Sequence, residues 1–330
     1  MTVVPFHHET PPRGRLAPSP TGYIHLGNVW SFWVAWLAAK SQGGSCCLRL
    51  EDIDPARAKA EYTEALLRDL RWLGISWDNE SEPLFCQSKR TDAYEDILVS
   101  LAGRNITYPC YCTRKELRDI AGAPHVDAAG APYPGFCRDL SEEQRIAKSA
   151  RGHHPCVRLL CPSDAVWRFT DRIMGEQAVS LAECGGDFAL RRSDGVYAYQ
   201  LAVVVDDIAM GVTQVVRGND ILSSTPRQLY LYSLLKDLPP EYAHVPLVVD
   251  ADGERLAKRH ASLTLAALRD AGIRAETLLG WLAAMSGLQE SYAPITAAEG
   301  LSLFCWKKIA LQAIRLPVDP VSFFLRIQRA

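Results

Sequence analysis

The sequence lacks the features of a membrane protein. Its longest apolar run, Val29 to Ala39, falls well short of the roughly 20 residues that span a bilayer. Met1 to Pro12 holds no apolar core of a secretory signal, so a cytoplasmic protein is expected. Charge of one sign is also missing. Lys and Arg total 36 against 38 Asp and Glu, a net charge of -2, which excludes a globally basic nucleic-acid binder and leaves only a local patch for any RNA contact. There is no internal repeat and no low-complexity tract, and no Ser, His and Asp occur in an order that would argue for a nucleophilic side chain. The ten cysteines, without a signal, read as reduced thiols and a possible metal site, not as a disulfide framework.

What is present begins at Gly14–Asn28, a stretch rich in Gly and Pro that runs straight into the apolar segment Val29–Ala39. A tight loop opening a helix offers free N–H groups and the positive end of the helix dipole, which suits a phosphate. His25 can donate to a phosphate oxygen, and Gly27 lets a flat base approach the backbone. Strand candidates at Arg15–Ala17 and Cys46–Leu50 flank that helix, giving a βαβ unit whose ligands belong at the carboxyl ends of the strands. Pro55 is expected to start a helix running to Leu73, Thr91–Ala102 a second, and Val245–Val249 a strand. A second basic loop, Arg255-Leu256-Ala257-Lys258-Arg259-His260, follows a strand and a turn. Arg15, Glu51, Tyr199 and Arg217 all fall at or beside expected strand ends. Two arginines and one glutamate suit a substrate with two carboxylates and one ammonium.

Together the two loops resemble the "HIGH" and "KMSKS" signatures of class I aminoacyl-tRNA synthetases, in the form used by the glutamyl branch. Lys258 stands where the second lysine of the late signature contacts ATP phosphates; Arg255 replaces the first lysine and Ala257 the serine. The resemblance implies an α/β fold: a Rossmann-type doubly wound parallel sheet with a zinc-containing insertion and a short helical C-terminal region. Its expected parts are a first catalytic half at 1–104, the insertion at 105–190, a second half at 191–245, and the late loop with C-terminal helices at 246–330. It implies catalysis by His25 and Lys258, ATP bound by His25, Gly27 and Lys258 with Mg²⁺, and L-glutamate held by Arg15, Ala17, Ser19, Glu51, Tyr199 and Arg217.

Cys110 and Cys112, with Cys137 after a loop, have the spacing of metal ligands. Structural zinc usually takes four ligands, and His125 and Tyr133 are the local candidates. The resemblance favours Tyr133. The other cysteines, Cys156 among them, lack ligand spacing and read as core thiols. About seventy residues follow the late loop, hardly enough for the helical anticodon-binding region of the glutamyl branch. The resemblance is therefore to its shortened members. Those activate glutamate without tRNA and attach it to queuosine in the anticodon loop of tRNA(Asp), here as a monomer. The alternative is charging of tRNA(Glu) with a reduced anticodon module.

Overall fold

The computed structural model describes residues 2–3, 11–113, 115–117, 133–150, 152, 154–256 and 263–329. β1 (Thr2–Val3) begins the chain. β2 (Arg13–Leu16), α1 (Leu26–Lys40) and β3 (Ser45–Leu50) follow, with β2 and β3 parallel in the register Arg13 to Ser45 and Leu16 to Leu48. α2 (Ala60–Trp72) leads to β4 (Phe85–Cys86), parallel to β3, and α3 (Thr91–Gly103) ends this half.

α1 is apolar on nearly every face because it is covered on nearly every face. Trp30, Trp33, Leu37, Ala38 and Ala39 are fully buried, as expected of a helix between a sheet and further helices. Its first turn is closed by a reciprocal cap: His25 Nδ1 accepts from Gly27 N, and Asn28 Oδ1 accepts from His25 N, each at 3.1 Å. Close packing sets the small residues around it. A methyl on Gly300 would lie 2.5 Å from the Trp33 ring.

The next segment makes an antiparallel sheet of β5 (Thr107–Cys110), β6 (Cys156–Leu159) and β9 (Phe188–Arg191), with α4 (Glu142–Ala150) between the first two. The hairpin β7 (Val166–Asp171) and β8 (Gly175–Ser180) leaves this lobe. β7 pairs in parallel with β1 and touches the main sheet through Asp171 and Tyr242.

The second half of the parallel layer holds α5 (Tyr199–Ala209), β10 (Gln214–Gly218), α6 (Thr225–Leu235) and β11 (Glu241–Val245), with β10 and β11 parallel. Thr213 N donates to Arg13 O at 2.9 Å and Arg13 N to Thr213 Oγ1 at 2.8 Å. These bonds join the halves, so the layer runs β4-β3-β2-β10-β11-β7, with the strand order reversing between β2 and β10. β12 (Val248–Val249), α7 (Leu265–Asp270), α8 (Ala275–Ser286), α9 (Gly300–Leu303), β13 (Ile314–Arg315) and α10 (Pro320–Ile327) complete the chain, and β12 pairs with β13. Among the described residues, no helix is long and apolar enough to cross a membrane.

Three expectations change. Residues 55–57 form a turn, and the helix starts at Ala60: Asp54 O takes the N–H of Arg57 and Ala58, and Lys59 N then binds Pro20 O at 3.1 Å, tethering the chain to the first loop. Tyr199 opens a helix instead of closing a strand; residues 201–207 are buried throughout, and a continuous apolar run does not separate a strand from a buried helix. The expected strand Val245–Val249 divides at Pro246, which has no N–H for a ladder and whose carbonyl accepts from Trp30 Nε1 at 3.1 Å.

Candidate active site

At the carboxyl ends of β10 and β11, beside the start of α1, lies a cavity of about 180 Å³, walled by His25, Gly27, Gly218, Asp220, Arg255 and Leu256 among others. Burial, then the charge of Arg255, lowers the His25 pKa. The ring is thus neutral at pH 7, and because Nδ1 accepts from Gly27 its proton sits on Nε2. Gly27 has little room for a side chain, since a methyl there would meet His25 Cε1 at 3.0 Å. Arg255 pairs with Asp220 at 2.7 Å. On the far side of the late loop, Thr264 bridges to His25 and Leu265 N donates to Ile24 O at 2.8 Å. Lys258, with Ala257, Arg259 and His260, lies outside the described residues.

A second cavity of about 390 Å³ is lined by Ser19, Thr21, Glu51, Asp54, Arg57, Gln87, Arg192, Tyr197 and Tyr199 among others. Ser19 is exposed in the first loop, and Ala17, half-buried, directly follows β2. Arg15 and Arg217 are not in the wall but act on it: both charges lower the Tyr199 hydroxyl pKa against the larger effect of burial, and Arg15 acts on Glu51 too. Burial raises the Glu51 carboxyl, opposed first by Arg49, whose Nη2 lies 3.2 Å from Glu51 Oε1.

Arg49 is wholly buried and also donates to Asp207 at 2.6 Å. Asp207 in turn lies 3.6 Å from Arg15 Nε. That nitrogen is buried and has no hydrogen-bond partner among the described residues, while Arg15 Nη1 donates to Val216 O at 3.1 Å. Arg217 donates from Nε to His244, from Nη1 to Gln228 and from Nη2 to Thr225. Of the predicted site residues, the structure therefore gathers His25 and Gly27 at one cavity, and Ser19, Glu51 and Tyr199 at the other, with the two arginines close behind.

In the antiparallel lobe, the Sγ atoms of Cys110, Cys112 and Cys137 lie within 4.8 Å of one another, a group that could hold a metal ion such as zinc. Cys112 and Cys137 sulfurs are 3.7 Å apart, and Tyr133 Oη lies 3.3 Å from Cys110 Sγ and 4.0 Å from Cys112 Sγ. Four ligands about 2.3 Å from a tetrahedral zinc stand about 3.8 Å from each other, so three sulfurs and this oxygen fit. His125 lies outside the described residues. Cys156 is not a remote core thiol: it faces Cys110 across β5–β6, and its hydrogen bond is the largest influence lowering the Cys110 pKa.

Sequence reading missed Arg49, His244, Asp171 and Arg192. The first two had a signal, a charged or titratable side chain inside a buried apolar strand. Arg192, paired with Asp54 at 3.0 Å, had none.

This geometry belongs to a known family. Residues 13–310 match tRNA synthetases class I (E and Q), catalytic domain, and the chain is a member of that family. Within it, the similarity extends end to end to a narrower group. The chain is 54% identical to a glutamyl-Q tRNA(Asp) synthetase of Nitratidesulfovibrio vulgaris, over 93% of this chain and 96% of that one. It is 44% identical to one from Symbiobacterium thermophilum, over 94% and 97%. A glutamate tRNA ligase from Elizabethkingia meningosepticum, solved in complex with its amino acid, superposes with a TM-score of 0.79 at 25% identity, covering 97% of this chain and 70% of that one.

Proposed function

We propose that this protein is a ligase that activates L-glutamate with ATP and transfers it to queuosine in the anticodon loop of tRNA(Asp). The observation that carries the reading is 54% identity over nearly the whole length of a glutamyl-Q tRNA(Asp) synthetase. Glutamate occupies the larger cavity, its ammonium at Glu51 and Tyr199 and its carboxylates at Arg15 and Arg217, with Ala17 and Ser19 beside it. The buried Nε of Arg15 supports this: it has an ion-pair contact with Asp207 at 3.6 Å but no hydrogen-bond partner among the described residues, and a substrate carboxylate would supply one.

ATP lies in the smaller cavity against His25 and Gly27, with Mg²⁺. The substrate carboxylate attacks the α-phosphorus, pyrophosphate leaves, and a mixed anhydride with AMP forms. His25 Nε2–H and the Lys258 ammonium stabilise the charge that builds on the phosphates. A ring hydroxyl of queuosine then attacks the glutamyl carbonyl, and AMP departs. RNA is commonly read in loops whose bases can be splayed out, which suits an acceptor base delivered into an open pocket. One structural zinc, held by Cys110, Cys112, Cys137 and Tyr133, would fix the antiparallel lobe. The protein works as a monomer in the cytoplasm.

Labelled glutamate offered with queuosine-containing tRNA(Asp), queuosine-free tRNA(Asp) and tRNA(Glu) tests the reading. Alkali-labile label on the first alone is expected; label on tRNA(Glu) that needs its 3′ end would instead mean ordinary charging. Lys258→Ala should slow glutamate-dependent ATP–pyrophosphate exchange by about 100-fold, the scale of losing one transition-state donor, with an unchanged melting temperature. An unchanged exchange rate would remove Lys258 from the mechanism.

A further inference from the structure

Arg217 is held by a chain of buried side chains that reaches outside the substrate cavity. On β11, His244 is fully buried and is the direct cross-strand partner of Arg217 on β10. Its Nε2 lies 2.9 Å from Arg217 Nε, and its Nδ1 lies 2.6 Å from Asp171 Oδ2. Arginine only donates, so Nε2 must carry the lone pair and Nδ1 the proton, which goes to Asp171. One tautomer satisfies both contacts. Burial, with the charge of Arg217 adding to it, lowers the His244 pKa to about 4, so the ring is neutral at pH 7. A protonated ring would set two N–H donors against each other.

The far end of the chain is equally fixed. Asp171 Oδ1 accepts from the backbone N–H of Ile173 at 3.0 Å, Met174 at 2.9 Å and His244 at 3.1 Å. The guanidinium lies over the Tyr242 ring, 5.1 Å from its centre, and that ring stacks on His244 at an interplanar angle of 15°. Gln228 and Thr225 take one N–H from each terminal nitrogen, at 2.7 and 2.8 Å. Among the described residues this leaves a second N–H on each terminal nitrogen, the pair that a carboxylate accepts side by side. Apolar side chains of the same volume often stabilise an interior as well as a buried ionic chain does, so stability alone does not account for this one.

We propose that Asp171 and His244 are positioning residues for substrate: they fix the orientation in which Arg217 presents its remaining N–H groups to a carboxylate of glutamate. The inference rests on Arg217 being a glutamate-binding residue, as proposed above. It makes Asp171, at the end of a hairpin in the middle of the chain, a determinant of amino-acid affinity.

The test is glutamate-dependent ATP–pyrophosphate exchange, with KM for glutamate, KM for ATP, kcat and melting temperature measured for Arg217→Gln, His244→Leu, His244→Gln and Asp171→Asn. His244→Leu should raise KM for glutamate at least tenfold and leave KM for ATP within twofold. His244→Gln restores an acceptor for Arg217 and should recover most of the loss. Asp171→Asn keeps the shape of the carboxylate but offers an N–H to Nδ1, forcing the wrong tautomer, and should also raise KM for glutamate even if the leucine variant does not fold. If Arg217→Gln raises KM for glutamate while folded His244→Leu and Asp171→Asn do not, the positioning role is overturned. If Arg217→Gln itself leaves that KM unchanged, the assignment of Arg217 fails and takes this inference with it. Equal rises in both KM values with no rescue by glutamine would mark a purely structural role and overturn it as well.

Discussion

The reversal point of the parallel sheet and the cysteine lobe both bring polar groups together in buried surroundings, and they are held in opposite ways. At the sheet, Arg15, Arg49 and Arg217 are anchored by strands and helices from far along the chain, on a large core that includes Trp30, Trp33 and Leu37. Position is fixed by packing and by ion pairs within the protein. In the lobe, the buried apolar cluster around the cysteines comprises, among the described residues, Tyr108, Cys110, Tyr111, Tyr133 and Cys137, three of which are also metal-ligand candidates. A cluster of this size offers little hydrophobic burial. There the three cysteine sulfurs could hold a metal ion, and a bound ion would supply the order that packing and ion pairs supply at the sheet.

That contrast can be broken most forcefully at Arg49. It is the sole fully buried residue of the arginine set, bonded to Asp207 and facing Glu51. Removing one partner of a buried pair costs about 3–5 kcal/mol, so Arg49→Leu should lower the catalytic domain's unfolding free energy, measured by urea titration, by that scale. A change under about 1 kcal/mol would mean the sheet's charges are not interlocked.

A smaller and more local effect is expected at Cys110→Ser. Zinc content should fall to background, and amide exchange should quicken in Thr107–Cys110 and Cys156–Leu159 while α1 stays protected, because regions of low local stability open independently. Wild-type protein without zinc, or equal loss of protection in α1, would erase the distinction between the two regions.

The smallest effect is the response to acid. With a His244 pKa of about 4 when folded against 6.5 when free, the unfolded chain takes up a proton below pH 6.5 that the folded one refuses. Stability from this residue is therefore complete above pH 6.5 and declines between pH 6.5 and 4, by up to about 1.4 kcal/mol per pH unit. His25, also lowered, acts in the same direction. Urea midpoints at pH 7.5 and 5 should fall more in wild type than in His244→Leu; equal slopes would show that His244 titrates normally when folded.

The early loop and its helix were legible because their chemistry is local. The cap at His25 and the close fit of Gly27 against its ring both lie within a few residues. Arg255 was legible as part of a basic loop and lines the smaller cavity, while Lys258 lies outside the described residues. The cysteine spacing pointed to Cys110, Cys112 and Cys137, and the structure sets them together. What was not legible depends on partners distant in sequence. Cys156 has no ligand spacing, yet the antiparallel register brings it opposite Cys110. The run from Leu201 to Asp207 has the composition of either a buried strand or a buried helix, and only packing against β9 and α6 decides. Arg49 and His244 announce themselves as polar residues in apolar strands, but their partners, Asp207 and Asp171, could not be named from local pattern.

The excursion of β7 has a practical consequence for anyone cutting or grafting this chain. Sequence position invites treating 105–190 as a removable cassette, to be swapped between relatives or deleted to simplify the enzyme. Such an excision would carry away Asp171, and with it the proton acceptor of a histidine that never leaves the main sheet. The two pieces share no clean seam: the boundary drawn on the linear map runs through a single hydrogen-bonded assembly.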